Sequence, residues 1–487
     1  MDYETFINPC LTRQDLVVLK TLLPHLSPTK SAIPKEPVLQ DKTVSHGPCS
    51  DGSPKPRNGY VQSSDGRVPN GRLGLQPRTT AGTAESEKGL QADVAQHLPS
   101  SGDDINRDDE TTMEHLSALN NPTDDKFEPT VFLGWDLQDI QIPRVLDRVV
   151  LQPYIKWARN VVRNETDVVM LTHLILYFTT SVPSALFLYY HFSWIHGVFH
   201  WLMQSYFVGT YTLMMHQHIH MRGILAKDYA WFDKTFPFVT DPLMGHTWNS
   251  YYFHHVKHHH VEGNRPEDLS STVRYQRDEF LHFLHYLGRF FFLVWLDLPL
   301  YFIRKGKSSL AVKTLTSELG NYLAIYLLAT RVNFQATVFA FMLPLVTLRI
   351  ALMVGNWGQH AFVDEVEPDS DFRSSITLID VASNRYCYND GYHTSHHLNP
   401  RRHWRDHPIS FIKQRDTYAK ESALVFRNID YFMMTITLFR KDYMHLAKCL
   451  VPLGDQVGMS LDELAIMLKS KTRRFTEEDI RKKFGAP

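Results

Sequence analysis

The stretch YYFHHVKHHHVEGN, residues 251–264, packs five histidines into seven positions: His254, His255, His258, His259 and His260. Imidazole in such density binds metal when the geometry allows. Two further clusters occur. HQHIH holds His216, His218 and His220, and YHTSHH holds His393, His396 and His397. A fourth segment, GNWGQH, ends on His360. His216 and His220 are i, i+4; His393, His396 and His397 are i, i+3, i+4. Both spacings put side chains on one helical face. The central tract contains the same HxxHH pattern at His255, His258 and His259, and HxxxHH starting from His254 or His255. Spacing alone therefore leaves open which of its five histidines are ligands. Isolated histidines such as His173, His196 and His200 are read as packed or hydrogen-bonded residues, and a single His-rich loop as a loose tract. Three clusters, two of them with one shared pattern, are read as a metal site.

The number of imidazoles exceeds what one tetrahedral ion takes, which suits two metals. No HExxH occurs, which argues against a zinc peptidase. Carboxylate-rich di-iron bundles use paired Glu-x-x-His elements, and here one such spacing exists, Glu279 to His282, without a second. A site rich in imidazole and poor in carboxylate suits iron without excluding zinc or copper. Neutral ligands leave the ions' charge uncompensated, and oxygen-derived anions can supply the balance, which favours O₂ chemistry.

The positions of these clusters follow from the apolar segments. VVMLTHLILYFTTSVPSALFLYY, Val168 to Tyr190, and the run from Phe192 to Met215 are each about the 20 residues that cross a bilayer. Their tight connection makes a hairpin. Arg144, Arg148, Lys156, Arg159 and Arg163 before it, with Arg222 and Lys227 after it, place both outer ends in the cytoplasm by the positive-inside rule. A second apolar zone, Phe280 to Gly355, offers three candidates: 290–303, roughly 310–330, and 334–355. Sharing one face between the motifs before and after this zone requires an even number of spans. The last two are expected to form a second hairpin, with the short first one, broken by Asp297 and Pro299, lying flat in the interface. Arg349, inside the third candidate, carries an insertion cost of ~2.5–3.5 kcal/mol; it either faces protein or snorkels to the surface. All four histidine segments then lie on one membrane face.

The chain has 487 residues, net charge −1 and 26 histidines. That balance points away from nucleic acid. Four scattered cysteines, Cys10, Cys49, Cys387 and Cys449, exclude a CxxC zinc site and suit a reducing compartment. The first residues lack the pattern of a signal peptide. Gln14 to Leu23 is expected to form a short helix stopped by Pro24. From about residue 27 to 125 the polar composition reads as disordered. The expected fold is all-α: a polytopic membrane protein of two transmembrane hairpins, about four spans, capped by a cytoplasmic helical domain that holds a di-metal histidine cluster. The expected organisation is a mostly disordered N-terminal region over 1–130, a membrane domain with the histidine motifs over 131–410, and a helical extension over 411–487.

The motifs resemble those of the membrane fatty acid desaturase superfamily, histidine-box di-iron enzymes that include hydroxylases. HQHIH is similar to its first box, HxxxH; HHVKHHH to the second, HxxHH; HTSHH to the third, HxxHH. Asn356 and His360 in NWGQH resemble an Asn-xxx-His element of some members. The resemblance covers about residues 135–404. It implies that His216, His220, His255, His258, His259, His360, His393, His396 and His397 ligate two iron ions, with His254 and His260 in reserve, His218 hydrogen-bonding instead, and Asn356 holding a metal-bound water. It further implies O₂ as co-substrate and hydrogen abstraction from a lipid-like chain to give an alkene. Hydroxylation or triple-bond formation, on a lipid or a secondary metabolite, is the near alternative. No HPGG cytochrome motif occurs, so electrons are expected from a separate redox protein. The expected location is the endoplasmic reticulum membrane with the active site facing the cytoplasm. A His-rich metal transporter, the competing class, needs ligands along the spans, which offer few.

Overall fold

Apolar runs become helices where nothing interrupts the backbone ladder, and one interruption shows how sequence sets a boundary. The computed structural model describes residues 11–26 and 107–485. Helices α1 (Arg13–Leu26) and α2 (Arg107–Asn120) come first. The first apolar run is split into α3 (Val168–Thr179) and α4 (Ser181–Tyr190). Pro183 lacks an N–H and its ring clashes with the carbonyl four residues earlier, which is that of Thr179, where α3 ends. Helix α5 (Trp194–Met221) returns antiparallel after a three-residue connection, with Ser193 capping its start by accepting from the His196 N–H at 3.2 Å. It continues past the apolar stretch and carries the HQHIH cluster on its last turns.

Three helical runs are long and apolar enough to cross a membrane: Val168–Tyr190, Phe280–Arg304 and Phe334–Gln359. Helix α6 (Phe280–Arg304) has 25 residues, longer than the segment 290–303 expected. Both of its ends nevertheless bind the histidine-bearing segments. Phe283 and Tyr286 pack on Trp357 at 5.4 and 5.0 Å, and Tyr301 donates to Glu262 at 2.5 Å. Helix α7 (Ser308–Arg331) then pairs with the run 334–359, whose last part is α8 (Leu343–Gln359). Arg349 faces protein rather than snorkelling. Its guanidinium donates to Glu318 Oε2 at 3.0 Å and to the Phe291 carbonyl at 2.8 Å. The charge of Glu318 in α7 is thereby answered within the bundle. Tyr189 with Thr337 (2.7 Å) and Trp201 with Thr347 (3.1 Å) tie the two helix pairs together. Leu186, Ile195, Phe199, Phe292 and Leu323 remain exposed on the outside, an apolar belt suited to lipid. The chain is a membrane protein, mostly helical.

The histidine-bearing part adds two short strands to the all-α expectation. β1 (Ile376–Ile379) and β2 (Leu424–Arg427) pair in parallel, Ile376 opposite Leu424. Between them lies α9 (His393–Leu398); after them come α10 (Tyr431–Phe439), α11 (Tyr443–Cys449), α12 (Leu461–Ser470) and α13 (Glu477–Phe484). One core of Phe362, Leu378, Phe426, Met434, Leu446 and Leu468 joins residues on both sides of position 410.

The N-terminal region also differs in part. Helix α1 runs past Pro24, and α2 occupies part of the stretch read as disordered. Both pack on the third cluster's support: Val18, Leu22 and Leu116 share a core with Tyr392 and Phe411. Tyr392, next to His393, donates to Asp15 at 2.7 Å, and Thr21 meets Thr112 at 2.7 Å. The expectation for 27–106 lies outside the described residues.

Candidate metal centre

Nine imidazoles converge from four segments in two adjoining groups. The first comprises His216, His220, His255, His260 and His396, whose ligand atoms all lie within 4.8 Å of one another. Four Nε2 atoms form a closed ring: His216–His255 2.7 Å, His255–His260 3.0 Å, His260–His396 2.8 Å, His396–His216 3.1 Å. A neutral imidazole nitrogen either donates or accepts, so such a ring cannot be satisfied by hydrogen bonds at every edge. His220 Nε2 is buried with no hydrogen-bond partner. Nitrogens bound at right angles to one ion at about 2.1 Å stand ~3 Å apart, the spacing seen here. The second group is His259, His360 and His397, joined by His393, whose Nε2 lies 3.2 Å from that of His360 and 3.1 Å from that of His397. The donor set fits two metal ions.

The elements explain which histidines arrive. His216 and His220 lie one turn apart on α5. His393, His396 and His397 share a face of α9 as the i, i+3, i+4 spacing predicts. The central tract departs from that spacing. Tyr252–His259 is a π-helix, whose i→i+5 bonding brings residues five apart into phase. His255 and His260 therefore point together, and His259 turns to the second group. His258, expected as a ligand, is not brought to either group. Its Nε2 accepts the Leu269 N–H at 2.9 Å, which commits that lone pair, and its ring packs on Tyr301 at 4.1 Å. His254 lies with it in a separate group completed by Asp268. His260, held in reserve, takes the place assigned to His258. His218 points away, packed on Phe236 at 5.3 Å with Asp233 at 3.6 Å. Asn356 donates to the Ser270 carbonyl at 2.8 Å and to Tyr286 Oη at 2.7 Å.

Carboxylates surround the imidazoles without joining them. Asp268 accepts from His259 Nδ1 at 2.7 Å. Asp390 lies 3.5 Å from His216 Nδ1, and Asp371 3.4 Å from His397 Nδ1. The bond to Asp268 fixes the His259 Nδ1–H and leaves its Nε2 lone pair aimed at the centre, whereas His216 Nδ1 makes no hydrogen bond. None of these three carboxylates was singled out from sequence. Asp390, three residues before His393, was the most accessible to suspicion; Asp268 carries no spacing signal. Burial, then the neighbouring imidazoles, hold His255, His260, His360, His393 and His396 well below the ordinary histidine range, so they stand as neutral imidazoles. Burial raises Asp268, but His259 and His258 outweigh it and hold its carboxyl well below the usual range. Burial pushes Asp390 up to about 7, against a hydrogen bond from Gln359.

A cavity of about 790 Å³ reaches the centre from between the membrane helices. Trp201, Val208, Leu213, Val294 and Leu352 line it, and it ends on His216, His255, His259 and His393. Its walls suit an extended apolar chain.

None of the curated proteins compared with the chain matches it. Residues 192–426 match the family model described as fatty acid desaturase, and that span contains all nine converging histidines. Residues 192–426 therefore carry a fatty acid desaturase domain, which points to an oxidoreductase of the desaturase and hydroxylase type.

Proposed function

We propose that the protein is an O₂-dependent di-iron oxidoreductase that introduces a double bond into an acyl chain or a similar hydrophobic substrate. The observation that carries this is the contact between an apolar cavity and two imidazole groups. Overall, a –CH₂–CH₂– unit, O₂, two electrons and two protons give –CH=CH– and two waters. His216, His220, His255, His260 and His396 would hold one iron, and His259, His360, His393 and His397 the other. Bound iron supplies the reduction of O₂ needed to oxidise an unactivated C–H bond.

The protein's own part is placement. The cavity binds the chain by burying its methylenes and presents one carbon pair to the imidazole face. Apolar walls exclude water, which keeps the oxidant on the substrate. Asp268 holds the His259 tautomer that keeps its Nε2 inward. Asn356 is anchored by Ser270 and Tyr286 at the cavity wall, one turn before His360. In this reading the centre faces the cytoplasm from the endoplasmic reticulum, and a separate redox protein supplies electrons.

The test combines metal analysis with product analysis after expression beside a compatible reductase. About two irons per chain and a new unsaturated lipid or metabolite, both absent in His396→Ala, are expected. One zinc and no iron would overturn the reading, and an alcohol product would reassign the outcome to hydroxylation.

A further inference from the structure

Residues 144–161 form one helical stretch ahead of the first membrane run: Arg144–Leu146, a π-turn Asp147–Leu151 and Gln152–Val161. Its inner face, Ile155, Ala158 and Val161, is buried in a core with Val168, Met170 and Leu174 of α3. Tyr154 Oη meets Thr172 Oγ1 at 2.7 Å. Thr172 lies four residues into the apolar run Val168–Tyr190, about 6 Å at the helical rise. The stretch therefore packs at the depth where that run enters the bilayer. Val162 pairs with Leu225, just past the HQHIH turns of α5, which puts the stretch on the histidine side. Its outer face is apolar and uncovered: Val145, Leu146, Val149, Val150 and Trp157 are 49 to 71% exposed. Arg144, Arg148 and Lys156 are exposed beside them, with no ion-pair partner among the described residues. The one carboxylate of the stretch, Asp147, accepts from Gln152 at 2.9 Å.

We propose that residues 144–161 are an in-plane anchor in the headgroup layer on the histidine side, and that Arg144, Arg148 and Lys156 bind anionic phospholipid. The apolar side chains sink into the acyl boundary, and Trp157 sits at the level that indole favours. Lipid covers this face because it already surrounds the run against which the stretch packs. A second copy fits less well, since a two-fold contact would set basic stretch against basic stretch. Anionic headgroups answer the three cations instead, and each cation adds to the attraction. The core on the inner face also holds Met214 and Met215, beside His216. The anchor thereby sets the height of the first histidine cluster relative to the headgroups.

The full chain in nanodiscs of phosphatidylcholine and phosphatidylserine tests this, with the photoreactive residue p-benzoylphenylalanine in place of Val149. After irradiation, mass spectrometry of the labelled peptide should find lipid adducts, with phosphatidylserine enriched about threefold over its share in the disc at low salt. The enrichment should shrink as ionic strength rises. It should vanish in Arg144→Gln/Arg148→Gln/Lys156→Gln while lipid adducts persist, and fall partway in Lys156→Gln alone. The same photoprobe at Phe199, exposed on the outside of α5, should give adducts that match the disc composition. Adducts at Val149 that match the disc composition without the glutamine substitutions would overturn the headgroup assignment. So would an absence of lipid adducts, or a crosslink to a second copy, which would make this face an interface between copies. Neither iron nor turnover enters the readout, so a failure of the redox reading leaves it untouched.

Discussion

The second and third histidine motifs are written alike and built differently. HTSHH in α9 and HVKHH in the central tract both read HxxHH. In α9 an ordinary helical turn delivers the first, fourth and fifth positions, His393, His396 and His397. In the central tract a π-helix delivers His255, His259 and His260, and leaves His258 against Tyr301. A motif therefore specifies ligands only together with the pitch of the element that carries it. One residue of extra winding changes which imidazole reaches the centre.

The contrast is broken most sharply by comparing neighbours. His260→Ala is expected to lose one iron and at least 100-fold in turnover. His258→Ala should keep both irons and lose stability instead, by about 1–3 kcal/mol for the Leu269 N–H left unpaired. Iron analysis and thermal unfolding of both variants separate these effects, and iron loss in His258→Ala with retention in His260→Ala would restore α-helical pitch to the tract. A smaller effect is expected one layer out. Asp268→Asn keeps an acceptor near His259 but removes the charge, and should weaken iron binding about 10- to 100-fold, read by chelator competition.

The smallest effect concerns how the third motif is supported. Burial pushes the Asp15 carboxyl up to about 6, against the hydrogen bond from Tyr392. A carboxyl raised above its unfolded value binds its proton more tightly when folded, so it adds stability as pH falls from about 6 towards 4 and costs stability above that window. Asp15→Asn should therefore match the wild type near pH 4 and exceed it modestly at pH 7 to 8. Unfolding midpoints across that range check it, and a loss at neutral pH would mean that the charge itself holds Tyr392.

Much of this was legible for plain reasons. Long apolar runs with a tight connection announce hairpins, and a charge such as Arg349 inside one leaves two choices, protein or the surface, of which the structure takes the first with Glu318 as partner. The strands were not legible, because ITLI and LVFR are four-residue apolar runs that periodicity cannot tell from buried helix. Helix α2 was hidden by averaging: RDDETTMEHLSALN is polar overall, yet Met113, Leu116 and Asn120 fall on one face towards the core. The exchange of His258 for His260 had no signal within the tract, since the groups that engage His258, the Tyr301 ring and the Leu269 N–H, both lie outside it.

The meeting of Thr21 with Thr112 sets α1 against α2 across 91 positions of sequence. The contact of Tyr392 with Asp15 fixes where α1 must sit. Supplied as a separate peptide, α1 would still find the same surface. Its attachment to the rest of the chain sets a local concentration rather than a geometry.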